Sequence, residues 1–292
     1  MLDGTPELRQ VDRRDGEVRA AGKPFTGVRR IVLVRDDHLE DMVCSLPAVA
    51  AVRDAYPGAW LGMMVRRAMV PLARMIPDID QVLAPGLTVA RMEQAFRGFR
   101  PDLMISLSRN SKVAWAAWRA GVPNRIGTGF RLYSPLFTRR VDERRRAGSL
   151  HEVDYALSFA HRAGVPPSPA RFRLNIPDDA TVGIGNWLEL HRVRQPFVVI
   201  HPGQGAGCPT WPPVHFVQLA TLLEAESIQV VFSMGENDRS FVAALEDDHQ
   251  FLRRLPRFHG DAASRAALFR KAGIVIGNGT GAVHLATALG VP

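Results

Sequence analysis

The chain has little cysteine, almost no lysine beside its arginine, and no long apolar run. Its two cysteines, Cys44 and Cys208, stand far apart without metal-ligand spacing. That argues against a disulfide scaffold and fits a reducing cytoplasm. No stretch reaches the roughly 18 consecutive apolar residues that cross a bilayer. The residues before Arg30 are polar and charged and lack the apolar centre of a secretory signal, so residues 2–23 read as a flexible basic arm.

What is present is an ordinary globular balance, 46% hydrophobic and 23% charged over 292 residues. That length suits two domains better than one small core. The formal net charge is +8 and the isoelectric point about 10.4. A basic surface suits a nucleic acid, an anionic membrane or phosphorylated substrates. No recognition helix or aromatic-basic motif accompanies the charge, so nucleic acid is not expected as a partner.

Residues 30–35 (R-I-V-L-V-R) form a β-branched run of the kind found in buried parallel strands. Asp36-Asp37-His38-Leu39-Glu40-Asp41 follows. A helix then carries Met42, Val43, Leu46, Val49 and Val52 on one face and stops at Pro57-Gly58. Further strands are expected at 60–65, 82–83, 101–107 and 125–127, with helices at 68–75, 89–99 and 112–120. The charged run 139–146 reads as a solvated loop, 151–163 as an amphipathic helix, and Pro166-Pro167-Ser168-Pro169 as a linker. A second series begins with a helix at 182–190, a strand at 197–200 and a loop at 201–207. It continues with a helix at 214–224, a strand at 229–233, helices at 238–245 and 264–271, and a strand within 272–276. This alternation predicts an α/β protein of doubly wound parallel sheets. The predicted organisation is an arm (1–28), a first Rossmann-like domain (29–165), a linker (166–180) and a second Rossmann-like domain (181–292), with a binding cleft between the two domains.

The most informative segment is Gly277-Asn278-Gly279-Thr280-Gly281-Ala282-Val283-His284. A strand that runs into a glycine-rich turn and opens onto a helix can cradle a nucleotide diphosphate. The first N–H groups of a helix lack partners within it, and the helix dipole is positive at that end. Glycine lets the backbone approach the anion. A tight strand-to-helix turn is the plain alternative.

Four segments together resemble the ADP-heptose:lipopolysaccharide heptosyltransferases of glycosyltransferase family 9, which have the GT-B fold. They are residues 35–47 (R-D-D-H-L-E-D-M-V-C-S-L-P), Arg125-Ile126-Gly127 with His151-Glu152-Val153-Asp154, His201-Pro202-Gly203 with Trp211-Pro212-Pro213, and Gly277-Asn278-Gly279-Thr280-Gly281 with His284. The resemblance implies an inverting transfer of a heptose, or a related sugar, from an ADP-sugar to a lipopolysaccharide core acceptor. It also implies a cytoplasmic enzyme that can lie at the inner face of a membrane. Asp41 falls where the family's catalytic aspartate lies and would be the general base; a helix N-cap is the alternative.

On the donor side the resemblance points to Gly203, Thr210, Asn278, Gly279, Thr280, Gly281 and His284, with Glu236 or Asp238 on the nucleoside ribose. For Asp238 an N-cap is an equal alternative. Arg35 and His38 would meet the acceptor, and His38 could instead satisfy loop hydrogen bonds. No cofactor is expected beyond the donor itself. No metal is expected either, since no Asp-x-Asp pair of the kind other transferases use stands out and protein groups can replace the cation.

Three positions depart from the family pattern. Glu40 stands where glycine is usual, Pro209 where a lysine faces the diphosphate, and Gly279 where an aspartate is usual. The chain also stops at Pro292, before the family's last strand and terminal helices, so the second domain reads as truncated. These departures leave a second expectation open: a catalytically impaired relative that binds nucleotide sugars or serves in assembly.

Overall fold

The computed structural model describes residues 22–142, 150–203, 210–235 and 254–292. Most of the expected arm, residues 143–146 of the charged run, Cys208, Pro209, Glu236, Asp238 and the helix expected at 238–245 lie outside the described residues.

The first half is a six-stranded parallel sheet in the order β3-β2-β1-β4-β5-β6. Its strands are β1 (Arg30–Arg35), β2 (Trp60–Val65), β3 (Gln81–Leu83), β4 (Leu103–Ser106), β5 (Asn124–Thr128) and β6 (Arg139–Val141). Ile31, Val32, Leu33 and Val34 of β1 are wholly buried. Helices cover both faces of the sheet, so side chains of both parities must be apolar and the strand reads as an uninterrupted hydrophobic run. Those helices are α1 (Leu39–Cys44), α2 (Leu46–Ala55), α3 (Val70–Ala73), α4 (Val89–Phe99), α5 (Ser111–Arg119) and α6 (Glu152–Arg162). Their starts follow from local chemistry. Thr88 caps α4 by accepting from Arg91 N, Asn110 caps α5 by accepting from Lys112 N, and His151 caps α6 by accepting from Val153 N.

The second half opens with α7 (Asp178–Leu190), four residues earlier in the chain than the apolar periodicity alone suggests because Asp178 and Asp179 favour a first turn. It continues with β7 (Val198–His201), α8 (Pro213–Ala225), β8 (Val230–Met234), β9 (Arg257–His259), α9 (Ala262–Lys271), β10 (Ile274–Gly277) and α10 (Gly281–Ala288). Its four strands among the described residues are parallel, in the order β10-β7-β8-β9. One apolar cluster joins the halves, from Ile31 and Leu33 in β1 to Phe197, Val199, Phe269 and Leu285.

Three elements differ from the sequence expectation, the first being the helix expected to carry Met42 through Val52, which is two helices, α1 and α2, parted at Ser45. The start of the charged run is strand β6, not a loop. Ile126, Gly127 and Thr128 pair with Arg139, Arg140 and Val141. An edge strand tolerates such charges, and the Arg139 guanidinium lies 3.7 Å from the Phe25 ring centre. That contact and the bond from Gly22 N to His161 O (2.9 Å) tie residues 22–25 of the expected arm onto β6 and α6. Strand β9 has no counterpart in the sequence reading, since Arg257-Phe258-His259 offers one apolar residue. Residues 166–177 carry no helix or strand, while 178–180 of the expected linker belong to α7. The former are fastened to the first half by Arg173, which bonds Asp54 and Asp78 at 2.9 Å each, and by the bond from Asn175 N to Met75 O (2.7 Å).

Both sheets reverse their winding at a definite place. In the first, the chain leaves β1 toward β2 and β3 and returns to β4 on the other side. In the second, β8 and β9 lie on one side of β7 and β10 on the other. Ligands bind outside the carboxyl ends of the strands at such reversals. Here those ends are residues 36–38 and 107–110 in the first half, and 202–203 and 278–280 in the second.

Candidate active site

The site begins with Arg35, the last residue of β1, whose side chain is wholly buried. A guanidinium cannot lose its charge, so burial demands anionic partners. Its Nη2 lies 2.9 Å from Asp41 Oδ1 and 2.8 Å from Glu152 Oε1. Its Nε is 3.6 Å from Asp37, and its Nη1 donates to the Leu107 carbonyl. The acceptor contact expected of Arg35 does not fit this burial, because the group is enclosed by its own carboxylates.

Asp41 lies in the first turn of α1, with Leu39 and Glu40 before it. The N-cap position belongs to His38, whose side chain makes no capping bond. Asp41 is therefore not an N-cap, and its carboxylate turns to Arg35 while 25% of the side chain stays exposed. An anchored and solvent-accessible carboxylate can take up a proton from a bound hydroxyl. His38 is exposed at the mouth of the same loop. The second segment of the resemblance supplies Glu152, which begins α6; a role for it as Asp41's counterpart on Arg35 was not legible in sequence. Asp36 and Asn110, also unforeseen, tie the loop after β1 to the loop after β4 through a bond from Asn110 Nδ2 to the Asp36 carboxylate.

Cys44, one turn along α1, is buried behind this cluster. Burial above all, and then the Glu152 carboxylate, push its thiol up from 9.0 to about 11, against the pull of Arg35.

On the facing wall, Thr280 occupies the N-cap position of α10, and its side chain makes no capping bond. Thr280 is 7% exposed, and its Oγ1 is buried with no hydrogen-bond partner among the described residues. The amides of Gly281 and Ala282 open the helix beside it. His284 is half-buried one turn in. Gly279 is exposed, and a Cβ there would meet nothing within 4 Å.

Asn278 serves differently from the donor contact expected of its side chain. Its Oδ1 accepts from Trp211 N (2.7 Å), and its Nδ2 donates to Gly203 O (3.1 Å) and Pro202 O (3.4 Å). The amide is engaged on both sides as a bracket between the loop after β7 and the loop after β10. Through that bracket Gly203 and Thr210 are drawn to the Thr280 turn. The Trp211 and Phe216 rings meet edge to face, 4.9 Å between centres, at the start of α8.

The two walls meet. A Cβ built on Gly281 would lie 2.5 Å from Leu39 Cβ and 2.7 Å from Glu40 N. The start of α10 thus touches the start of α1, one residue from Asp41. Glycine is required here by that close approach.

The sequence does contain one Asp-x-Asp, Asp78-Ile79-Asp80, that the sequence reading passes over. Asp78 accepts from Arg173 Nη1 (2.9 Å), and Asp80 from Arg53 Nη2 (2.6 Å) and Leu61 N (2.7 Å). Arginines hold these carboxylates. The pair precedes β3, at the edge of the sheet opposite Asp41.

Residues 89–292 match glycosyltransferase family 9 (heptosyltransferase). A putative glycosyltransferase of Haemophilus influenzae is 22% identical over 284 residues, covering 91% of this chain and 81% of that protein. The glycosyl transferase family 9 structure from Veillonella parvula superposes with a TM-score of 0.81 at 18% identity, over 94% of this chain and 80% of that one. The E. coli ADP-heptose lipopolysaccharide heptosyltransferase II superposes at 0.77 and 19% identity, over 90% of this chain and 83% of that one. The shared architecture is GT-B, two Rossmann-like halves with parallel sheets.

Two outcomes test this geometry. Gly281→Val forces the two helix starts apart, and the urea midpoint falls by an amount equivalent to about 1–3 kcal/mol. Cys44, protonated in the fold up to about pH 11, contributes stability below pH 9.0 that is lost as pH rises through the folded value. At pH 9 iodoacetamide therefore alkylates Cys44 in the native protein at least about tenfold more slowly than in urea, read at the Cys44 peptide by mass spectrometry.

Proposed function

The chain belongs to glycosyltransferase family 9, and from that premise we propose that it moves a heptose, or a related sugar, from an ADP-sugar to a lipopolysaccharide core acceptor with inversion. The single observation that carries this reading is the contact between the starts of α1 and α10, which puts an arginine-anchored carboxylate beside an anion-seeking helix terminus. The name of the E. coli relative supplies the sugar and the nucleotide. The family match begins at residue 89, so the assignment of Asp41 stands on geometry and on the resemblance of residues 35–47.

In the proposed reaction the acceptor hydroxyl attacks the anomeric carbon from the face opposite the diphosphate. Asp41 takes the hydroxyl proton as the new glycosidic bond forms. The bond from carbon to diphosphate oxygen breaks, and its electron pair leaves with ADP. The Gly281 and Ala282 amides, the Thr280 hydroxyl and His284 receive the growing charge on that oxygen. Preformed donors of this kind need no reorganisation at the moment of reaction. Arg35 acts through Asp41: it fixes the carboxylate in one place, and Glu152 and Asp37 balance its charge. Gly203 and Thr210 line the donor side through the Asn278 bracket, and His38 lies where an acceptor would enter. Glu236 or Asp238 keeps the ribose role that the resemblance gives. The enzyme works without a metal in this reading, at the cytoplasmic face of a membrane that carries the acceptor, and nucleic acid plays no part.

One observation favours a second reading, an impaired relative that binds the donor without turning it over. The space at Gly279 would accept a side chain, so the aspartate usual in the family is missing for no steric reason. A transfer assay and an ADP titration on the unaltered protein decide between them, and Asp41→Ala tests the base. If Asp41 is the base, the transfer rate falls at least about hundredfold, while ADP affinity, measured by calorimetry, stays within about threefold. Donor binding without turnover in the unaltered protein is the result of the second reading. Retained transfer by the variant removes Asp41 from the base role.

A further inference from the structure

We propose that the outer face of α5 and the 129–133 loop form a docking surface for an anionic bilayer. The inference deepens the reading of a membrane-borne acceptor and rests on it for its purpose, though not for its test.

The first observation is charge. Residues 103–141 contain seven arginines and lysines and no aspartate or glutamate, in a chain whose whole formal excess is +8. Arg109, Lys112 and Arg131 are exposed, and none makes an ion pair among the described residues. A bilayer containing acidic lipids attracts such groups within a Debye length of its surface.

The second observation is apolar surface in the same place. Helix α5 turns Val113, Ala114, Ala116 and Ala117 inward. Lys112, Trp115, Trp118 and Arg119 face out. Trp115 is 46% and Trp118 51% exposed, and their rings meet edge to face at 5.7 Å. Leu132 is fully exposed, at 103%. The turn Ser134–Leu136 just after it packs against α5, so loop and helix form one surface. The other exposed tryptophans have local uses: Trp60 donates to Gln81, and Trp211 packs on Phe216. Paired indoles with cations at their edges match the polarity gradient between headgroups and acyl chains, where an aromatic body is buried and its polar edge stays wet.

The third observation is position. Strands β1, β4 and β5 are parallel neighbours, so the loops that follow them leave the same edge of the sheet. Asp41 follows β1, residues 107–110 follow β4, and residues 129–133 follow β5. Asn110 caps α5 and bonds Asp36, which anchors the helix start to the active-site loop. A surface lying on this edge would bring a lipid-anchored sugar chain toward Asp41. Neither the charge nor the apolar patch suffices alone, since a few exposed side chains bind reversibly and two signals are needed for stable attachment.

The experiment is flotation of the full chain with vesicles of phosphatidylcholine alone and of phosphatidylcholine with phosphatidylglycerol, without donor or acceptor. The unaltered protein is expected to float with the phosphatidylglycerol vesicles, less at high salt, and to stay behind with phosphatidylcholine. Trp118→Ala combined with Leu132→Glu is expected to lower the partition coefficient at least about tenfold while ADP affinity is unchanged. Because both side chains are exposed, that affinity also reports an intact fold. Lys112→Glu alone is expected to weaken flotation. Three results would overturn the proposal: no flotation of the unaltered protein, equal flotation of the double variant, or a patch that proves to hold two copies together, seen by light scattering as a dimer lost in the variant. Transfer is not read in this test, so a failure here leaves the glycosyltransferase reading standing, and the reverse holds as well.

Discussion

The structure depends on a close approach that only a glycine permits. Two helix starts, one from each half of the molecule, touch where Gly281 has no side chain. Like ends of two helix dipoles face one another there. Helix starts carry partial positive charge, so the contact is electrostatically unfavourable by itself. Glu40 and Asp41 in the first turn of α1 offset it on one side. The other side keeps the first amides of α10, which have no carbonyl to bond within the helix, and the buried Thr280 hydroxyl. A bound diphosphate would complete the arrangement, and the same field that holds it would favour its departure as ADP.

Arg35 imposes the second constraint. A wholly buried guanidinium is costly unless it is fully paired, and β1 ends on one. Asp41, Glu152, Asp37 and the Leu107 carbonyl surround it, with Nε left without a hydrogen bond among the described residues, and they draw α1, α6 and the loop after β4 to one point. The charge that makes the strand end stable also fixes the carboxylate. Arg35 thus serves both the closing of the fold at this point and the placing of the Asp41 carboxylate, so altering it disturbs both.

Much of the scaffold was legible because each strand of the interior is a short β-branched or apolar run between turn residues. Strand β2 falls at 60–65 and helix α4 at 89–99, as the apolar pattern implies. The glycine-rich turn and its helix were legible from the strand before them. What failed was of two kinds. Strands β6 and β9 lie at sheet edges, where backbone pairing rather than side-chain pattern makes a strand, so Arg139-Arg140-Val141 looked like a loop. The other misses are non-local. Arg35 and Glu152 are 117 residues apart, and nothing in the linear pattern says that one encloses the other. Asn278 looked like a ligand group because it sits in the glycine-rich turn, yet its amide faces backbone 75 residues away. The aromatic-basic face of α5 was hidden because Lys112, Trp115 and Trp118 align only once the helix is wound.

The central claim is that the donor diphosphate and Asp41 share the seam between α1 and α10. A crystal structure of the protein with ADP tests it most directly. The account predicts phosphate oxygens within hydrogen-bond distance of the Gly281 or Ala282 amide and of Thr280 Oγ1, with the Asp41 carboxylate still on Arg35 across the gap. ADP seated elsewhere, or Asp41 turned away from that gap toward the outer surface, would contradict it.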